Sequence, residues 1–359
     1  MKKIGIVTGG GDCPGLNAVI RAVAKAAAMR KWETVGILGG YEGLLEPPQT
    51  MPLDYHALNG LLTRGGTILG TANRGKFSSK TGHGDNRDLA KELLEGVKGG
   101  MQALGISALV SIGGDGSLSI AKQMHEHGVP VVGVPKTIDN DLAGTILTFG
   151  FDSAVACATD ALDRLHTTAE SHKRVMVLEL MGRYAGWIAL YAGVAGGADV
   201  VLIPEIPFSY DRVCEKIRER ESQGKAFTLV VVAEGAREQN AGFVTSAGEE
   251  ANREARLGGI GAVVASELER RTGKETRYCV LGHLQRGGSP TPFDRALCSM
   301  FGAMAVELIA DRQFGKMVSF VGPSIGAVDL SEAVGQLKTV PPDGKLVLTA
   351  RALGISLGD

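Results

Sequence analysis

Apolar and polar positions alternate from Ile4 to Thr8 and stop at Gly9-Gly10-Gly11-Asp12-Cys13-Pro14-Gly15. They return as Leu16, Val19, Ile20, Val23 and Ala27, a spacing that predicts strand, glycine turn and helix. Glu33–Leu38 reads as a second strand, ending at Gly39-Gly40-Tyr41-Glu42-Gly43. The apolar run Ala108–Ile112 breaks at Gly113-Gly114-Asp115-Gly116-Ser117 and passes into a stretch of helical composition. Val131–Val134 then ends at Pro135-Lys136-Thr137-Ile138-Asp139-Asn140-Asp141. Val155, Ala158, Leu162 and Leu165 give one apolar face to a helix over Phe151–His172. Strands follow at Val175–Leu180, Val200–Pro204 and Phe227–Ala233. After them come a helix around Ile260, Val264 and Leu268, and a strand at Tyr278–Leu281 running into Gly282–Pro290. Ser78–Arg87 is polar and glycine-containing, which predicts a surface loop with a mobile tip. Repeated strand-then-helix order predicts an α/β protein with mostly parallel strands, and no internal sequence repeat is present.

Composition narrows the classes. At 359 residues and 44% hydrophobic content there is chain enough for two packed domains. Its 51 glycines are about twice the usual share of roughly 7%, as many tight turns at strand ends would require. A formal net charge of −1 gives no reason to expect nucleic acid or an anionic membrane as partner. The five cysteines are widely spaced with no Cys-x-x-Cys pair, so a reduced protein without structural disulfides or zinc is expected. The chain enters a strand at once, and no apolar run approaches the ~18 residues of a membrane helix. A cytoplasmic location is the expectation.

Two of the strand ends carry chemistry. In Gly113–Ser117 the glycines let backbone N–H groups approach phosphate oxygens, the following helix adds the positive end of its dipole, and Asp115 is a hard oxygen for Mg²⁺. The next strand end brings Asp139 and Asp141. One aspartate holding a metal and another taking a proton from a hydroxyl are the two tasks of metal-assisted phosphoryl transfer. The first turn, Gly9–Gly15, is neither a Walker A sequence nor Gly-x-Gly-x-x-Gly, because no Gly-Lys-Ser/Thr follows and Pro14 takes the last position. His283 and Arg286 stand three apart in a glycine-flanked loop, free to point at an anion.

These motifs, GGDGS followed by PKTIDND, then MGRYAG and GHLQRGGSP, resemble the phosphofructokinase family, in the same order and at compatible spacing from roughly Lys2 to Gly322. The resemblance implies two Rossmann-like three-layer αβα domains with mostly parallel sheets and an active site in the cleft between them. Residues 1–150 with 263–313 would bind the phosphoryl donor, 151–262 with 314–339 the sugar phosphate, and 340–359 would pack back on the first domain as a tail. The implied activity is transfer of the γ-phosphoryl of Mg-ATP to the 1-hydroxyl of fructose 6-phosphate. Gly11, Tyr41, Arg74, Gly114, Asp115, Gly116, Ser117 and Lys136 are the implied donor residues. Tyr41 resembles the adenine-stacking aromatic, a buried loop tyrosine being the alternative, and Arg74 fits only with a slip of one residue, because Asn73 takes that place. Asp139 would accept the proton and Arg183 stabilise the transferring group, with Thr137 and Asp141 beside them. Asp115, and Asp141 directly or through water, would hold Mg²⁺. Sugar phosphate would meet Thr137, Asp139, Arg174, Met181, Gly182, Arg183, Glu234, Arg277, His283 and Arg286. The residues matching Arg174 and Arg277 serve a neighbouring subunit's site, which implies a homo-oligomer, expected to be a tetramer.

The donor is ambiguous at two positions. Pyrophosphate-dependent relatives tend to have Asp where this chain has Gly116, and Lys where it has Lys136; the shorter ATP enzymes have Gly at the second position. The mixture resembles the long bacterial lineage. A carboxylate would exclude an α-phosphate more strongly than one optional lysine contact favours pyrophosphate, so ATP is the expected donor and pyrophosphate the alternative. Two rivals from other classes are a lipid or NAD kinase, which would share GGDG but lack PKTIDND and GHLQRGGSP, and a non-catalytic sugar-phosphate sensor, which would not need Asp115, Asp139 and Arg183 together. In regulated bacterial members of the family an effector site between subunits gathers basic residues; here Arg21, Lys25 and Lys225 remain while His56, His166, Gln223 and Ala226 stand at other positions, so the pocket is expected to be depleted of charge, with weak or absent control by ADP and phosphoenolpyruvate.

Overall fold

The alternating stretch at the start folds as β1 (Lys3–Thr8), and the glycine turn releases the chain into α1 (Leu16–Met29). The structure is a computed structural model and describes residues 2–56, 58–72, 75–77, 80–82, 85–86, 88–239, 242 and 258–359. It divides into two units, Met1–Ser153 with Arg286–Leu337, and Ala154–Gln285 with Lys338–Asp359.

In the first unit β1 and α1 are followed by β2 (Glu33–Ile37), β3 (Thr50–Pro52), the short hairpin β4 (Lys80–Gly82) and β5 (Asp85–Asn86), and α2 (Lys91–Leu104). Next come β6 (Ala108–Gly113), α3 (Asp115–Glu126), β7 (Val131–Pro135) and the start of α4 (Phe151–His172). The second unit holds β8 (Val175–Leu180), α5 (Trp187–Ala195), β9 (Val200–Leu202), α6 (Tyr210–Ser222), β10 (Thr228–Ala233), α7 (Ile260–Thr272) and β11 (Thr276–Val280). The chain then returns through α8 (Pro292–Ala310), β12 (Lys316–Phe320), β13 (Ile325–Asp329) and α9 (Leu330–Ala333), and α10 (Lys345–Ala352) closes the second unit.

The first sheet has the order β13-β12-β7-β6-β1-β2-β3, parallel except at its two outer pairs. One core joins Val7 and Leu109 of the sheet to Met101 of α2 and Met124 of α3. α1 packs on α8, where Gly302 admits the close approach: a Cβ there would lie 3.0 Å from the Val19 carbonyl. The second sheet is all parallel, β11-β8-β10-β9. The α/β expectation with mostly parallel strands holds, and the expected loop Ser78–Arg87 contains the β4–β5 hairpin, its tip at 83–84 lying outside the described residues.

The division departs from the expected one in three places. α7 and β11 belong to the second unit, because β11 pairs with β8 from Thr276 opposite Val175 onward. β12 belongs to the first, pairing in parallel with β7. The tail beyond Lys338 joins the second unit and not the first. Its Ser356 carbonyl accepts from Val201 N at 2.9 Å and Gly358 O from Ser209 N at 2.7 Å, so it supplies partners that the β9 edge would otherwise lack.

A buried carboxylate pins the first unit. Asp294, in the first turn of α8, accepts from Gly150 N (3.0 Å), Ser153 N (2.9 Å) and Ser153 Oγ (2.6 Å) and so caps α4. Burial raises its carboxyl from 3.8 to about 6, against the lowering hydrogen bonds from Ser153 and Gly150. With the folded value above the unfolded one, this contribution to stability is full below about 4 and is lost as pH rises through about 6. The gap in unfolding free energy between wild type and Asp294→Asn is therefore expected to narrow by of order 2 kcal/mol from pH 4.5 to 7.5 in urea unfolding. A gap that widens with pH would mean that the three donors, and not burial, set the charge of this group.

Candidate active site

β7, β6 and β1 are parallel neighbours, so their carboxyl ends deliver three loops to one edge of the first sheet. Gly9 N donates to Ile112 O and Lys136 N to Gly113 O, each at 2.9 Å, which ties every turn to the next strand. Ser117 occupies the space between the first two turns. A Cβ on Gly113 would collide with its side chain, and one on Gly9 would lie 2.5 Å from its Oγ, so neither position admits a larger residue. α3 begins at Asp115, which places its first-turn amides and positive dipole end at the same edge.

Two cations converge on the first turn. Lys136 is buried, and its Nζ donates to the Gly11 carbonyl; burial pushes its ammonium below the ordinary lysine value, with Cys13 opposing and Arg286 adding to the push. Arg286 Nη1 donates to Asp12 O at 3.2 Å, and a Cβ on Gly11 would lie 2.9 Å from that nitrogen. The loop after β7 is fixed from within: Thr137 Oγ1 accepts from Asp139 N (3.1 Å), Thr148 Oγ1 donates to Thr137 O (2.7 Å), and Thr148 N donates to Asn140 Oδ1 (3.1 Å). Asn140 adopts φ 51°, the left-handed turn an asparagine tolerates between the two aspartates Asp139 and Asp141. Asp115 Oδ1 accepts from Gly335 N at 3.0 Å.

In the second unit Met181, Gly182 and Arg183 follow β8, Glu234 follows β10, and His283 stands exposed in the turn after β11. Glu234 N donates to Leu180 O (2.8 Å) and Gly235 N to Gly182 O (3.1 Å), Gly182 having φ 139°. Met181 N donates to Oε1 of the fully buried Gln285 at 2.8 Å. Arg174 and Arg277 sit elsewhere, at the amino-terminal ends of β8 and β11. Both grip Glu275, through Arg174 Nη2 at 2.8 Å and Arg277 Nη2 at 2.6 Å, and the Arg174 bond chiefly holds the Glu275 carboxyl below its ordinary value. Six or seven residues of strand, roughly 20 Å, separate them from His283 and Met181.

The expected residues thus form three groups: Gly11, Gly114–Ser117, Lys136, Thr137, Asp139, Asp141 and Arg286 on one edge; Met181, Gly182, Arg183, Glu234 and His283 on another; Arg174 and Arg277 apart. Arg286, expected with the sugar-phosphate set, lies against the donor-side turn. Tyr41 is 5% exposed within the core, its hydroxyl 2.5 Å from Ser111 Oγ and 2.8 Å from the Ser117 carbonyl. It is the buried loop tyrosine, not an open face for a base, because its hydroxyl finds its partners inside. Arg74 lies outside the described residues. Sequence reading missed Thr148; Gln285 lay inside the quoted GHLQRGGSP without a role.

A pocket of about 580 Å³ in the second unit is lined by His166, Glu170, Lys173, Asp199, Arg220 and Lys225 among others. Asp199 and Arg220 pair at 2.5 Å. Three cations and two carboxylates line it, and of the residues expected at the effector pocket it holds His166, Lys225 and Ala226.

Comparison with known proteins adds the following. A family model described as Phosphofructokinase matches residues 3–309. The ATP-dependent 6-phosphofructokinase of Chloroflexus aggregans is 54% identical over 358 residues, covering 100% of this chain and 98% of that protein. A pyrophosphate–fructose 6-phosphate 1-phosphotransferase of Amycolatopsis methanolica is 49% identical over 343 residues, 95% of this chain and 97% of that one. The structure of phosphofructokinase from Saccharomyces cerevisiae superimposes with a TM-score of 0.80 at 30% identity; it covers all of this chain, which spans about half (48%) of the yeast chain.

Proposed function

The chain belongs to the phosphofructokinase family, and we propose that it is an ATP-dependent 6-phosphofructokinase, forming fructose 1,6-bisphosphate from fructose 6-phosphate in glycolysis. The observation that carries the assignment of roles is the convergence of three adjacent strand ends in the first unit, two glycine turns and the Lys136–Asp141 loop, a phosphate cradle beside a carboxylate. Amides of Gly11 and Gly114–Ser117 receive the donor phosphates. Asp139 takes the proton of the 1-hydroxyl as that oxygen forms its bond to the γ-phosphorus and the bond from phosphorus to the bridging oxygen of ADP breaks. Thr137, whose hydroxyl accepts from Asp139 N, keeps the carboxylate in place, and Arg183 offsets charge on the transferring group. Asp115 is a hard oxygen at the same strand end as the phosphate-binding amides, the donor chemistry that suits Mg²⁺ shared with phosphates, and Asp141 would assist through water; the ion would neutralise phosphate charge. Glu234, Met181, Gly182, His283 and Arg286 recognise the sugar phosphate. Initial rates of fructose 1,6-bisphosphate formation test the reading: turnover with Mg-ATP is expected, and turnover with neither ATP nor pyrophosphate would sink it.

The enzyme is read as a homo-oligomer, a tetramer, in which Arg174 and Arg277 serve a neighbour's site. Their separation by roughly 20 Å of strand from Met181 and His283 supports this, as do the exposed Tyr278 and Val280 on the β11 edge and Leu284 beyond it, apolar surface that a second copy would cover. Co-expression of Asp139→Ser with Arg174→Ala chains should yield mixed oligomers more active than either variant alone, because some sites then draw both native residues from different subunits. No recovery in mixed oligomers would place the arginines in their own chain's site or outside any. Among the described residues no helix is long and apolar enough to cross a membrane, and a cytoplasmic location fits the substrates.

A further inference from the structure

We propose that Glu205 is a positioning residue for Arg183, and that the segment Lys338–Val340 acts on catalysis through it; the inference rests on the role assigned to Arg183 above. Glu205 accepts from Gly186 N with Oε1 at 3.0 Å and Oε2 at 3.1 Å, and its Oε1 also accepts from Val340 N at 2.8 Å. Gly186 is the cap residue of α5, three positions after Arg183. The next residue, Trp187, donates from Nε1 to Lys338 O at 2.9 Å. Segment 338–340 therefore holds the start of α5 twice, once directly and once through the Glu205 carboxylate.

Space at this junction is as constrained as its hydrogen bonds. A Cβ on Gly186 would overlap Ile203 and lie 2.9 Å from Glu205 Oε2. At the other end of the loop, Met181 N is fixed by Gln285 and Gly182 O by Gly235 N. Arg183 thus lies between two anchored points, and loosening either one loosens its backbone. Burial raises the Glu205 carboxyl above its ordinary value while the Val340 and Gly186 amides lower it, as befits a group whose work is to bind backbone donors. A displacement of about 1 Å at a charge-stabilising group can cost up to about a hundredfold in rate, so slackening one anchor should be visible in kcat.

The test is a double-mutant cycle in the full-length enzyme, with thermal melting run alongside. Glu205→Gln keeps the shape but turns an N–H toward one of the two amides. It should lower kcat about tenfold in the wild-type background and less than twofold in Arg183→Ala, where there is no guanidinium left to misplace. An equal factor in both backgrounds, or none in either, overturns the proposal by making Glu205 a general structural residue or an idle one. Arg183→Ala alone tests the underlying reading: unchanged kcat in that variant removes Arg183 from the chemistry whatever Glu205→Gln does. Should Glu205→Gln fail to fold, Trp187→Phe, which deletes only the direct bond to Lys338 O, enters the same cycle with the same expected pattern.

Discussion

Asp139→Ser lowers kcat by roughly a thousandfold while the protein still binds fructose 6-phosphate. General-base assistance is commonly worth 10²–10⁴ in rate, and a serine hydroxyl is a far weaker base than the carboxylate it replaces. Asp141 is two residues away, with Asn140 at φ 51° between them turning the backbone, so the two carboxylates do not share one position. The variant should fold, because the anchors of the loop are Thr137, Asn140 and Thr148, all of which remain. Binding measured calorimetrically and turnover measured separately divide the outcomes. Intact binding with lost turnover excludes a sensor, since a sensor has no use for a base. A rate near wild type would remove Asp139 from the proton transfer and leave the donor-side cradle without a catalytic partner.

What the sequence made legible is what backbone rules dictate locally. Strand ends followed by glycine turns could be read because each turn is specified within a few residues, and the structure puts three of them on adjacent strands. The position of Arg174 at the amino end of β8 was likewise legible, from where that strand begins. Long-range pairings were not legible. Nothing near Ser356 announces that it will pair beside Val200, and the chain returns to the first unit only at Arg286 because β11 pairs with β8, a choice made between distant strands. Tyr41 shows a similar limit. A glycine-flanked tyrosine reads the same whether its ring meets a ligand or the core, and only the partners of its hydroxyl, Ser111 and Ser117, decide. Glu205 escaped notice because both its donors are backbone amides, one of them 135 residues away, and amides leave no mark in side-chain patterns.

Donor choice is the second large effect. Gly116→Asp should lower kcat/KM for ATP by about a thousandfold: a carboxylate placed about 4 Å from an α-phosphate costs roughly 4 kcal/mol at an effective dielectric of 20. The fold should bear the change, since Gly116 lies in the first turn of α3, outside the left-handed region, where an acidic residue complements the helix dipole. Lys136 carries less weight. Its ammonium is buried and already donates to the Gly11 carbonyl, so gripping a phosphate means exchanging one hydrogen bond for another, and the net gain is smaller than for a lysine waiting in solvent. Lys136→Met should accordingly cost about tenfold with ATP, through loss of the bracket on the Gly11 turn. Both variants are assayed with ATP and with pyrophosphate as sole donor. If wild type turns over with pyrophosphate alone, the exchange at Lys136 is favourable after all, exclusion at Gly116 does not set the donor, and the reverse reaction, from fructose 1,6-bisphosphate and orthophosphate, is expected to be measurable in the same assay.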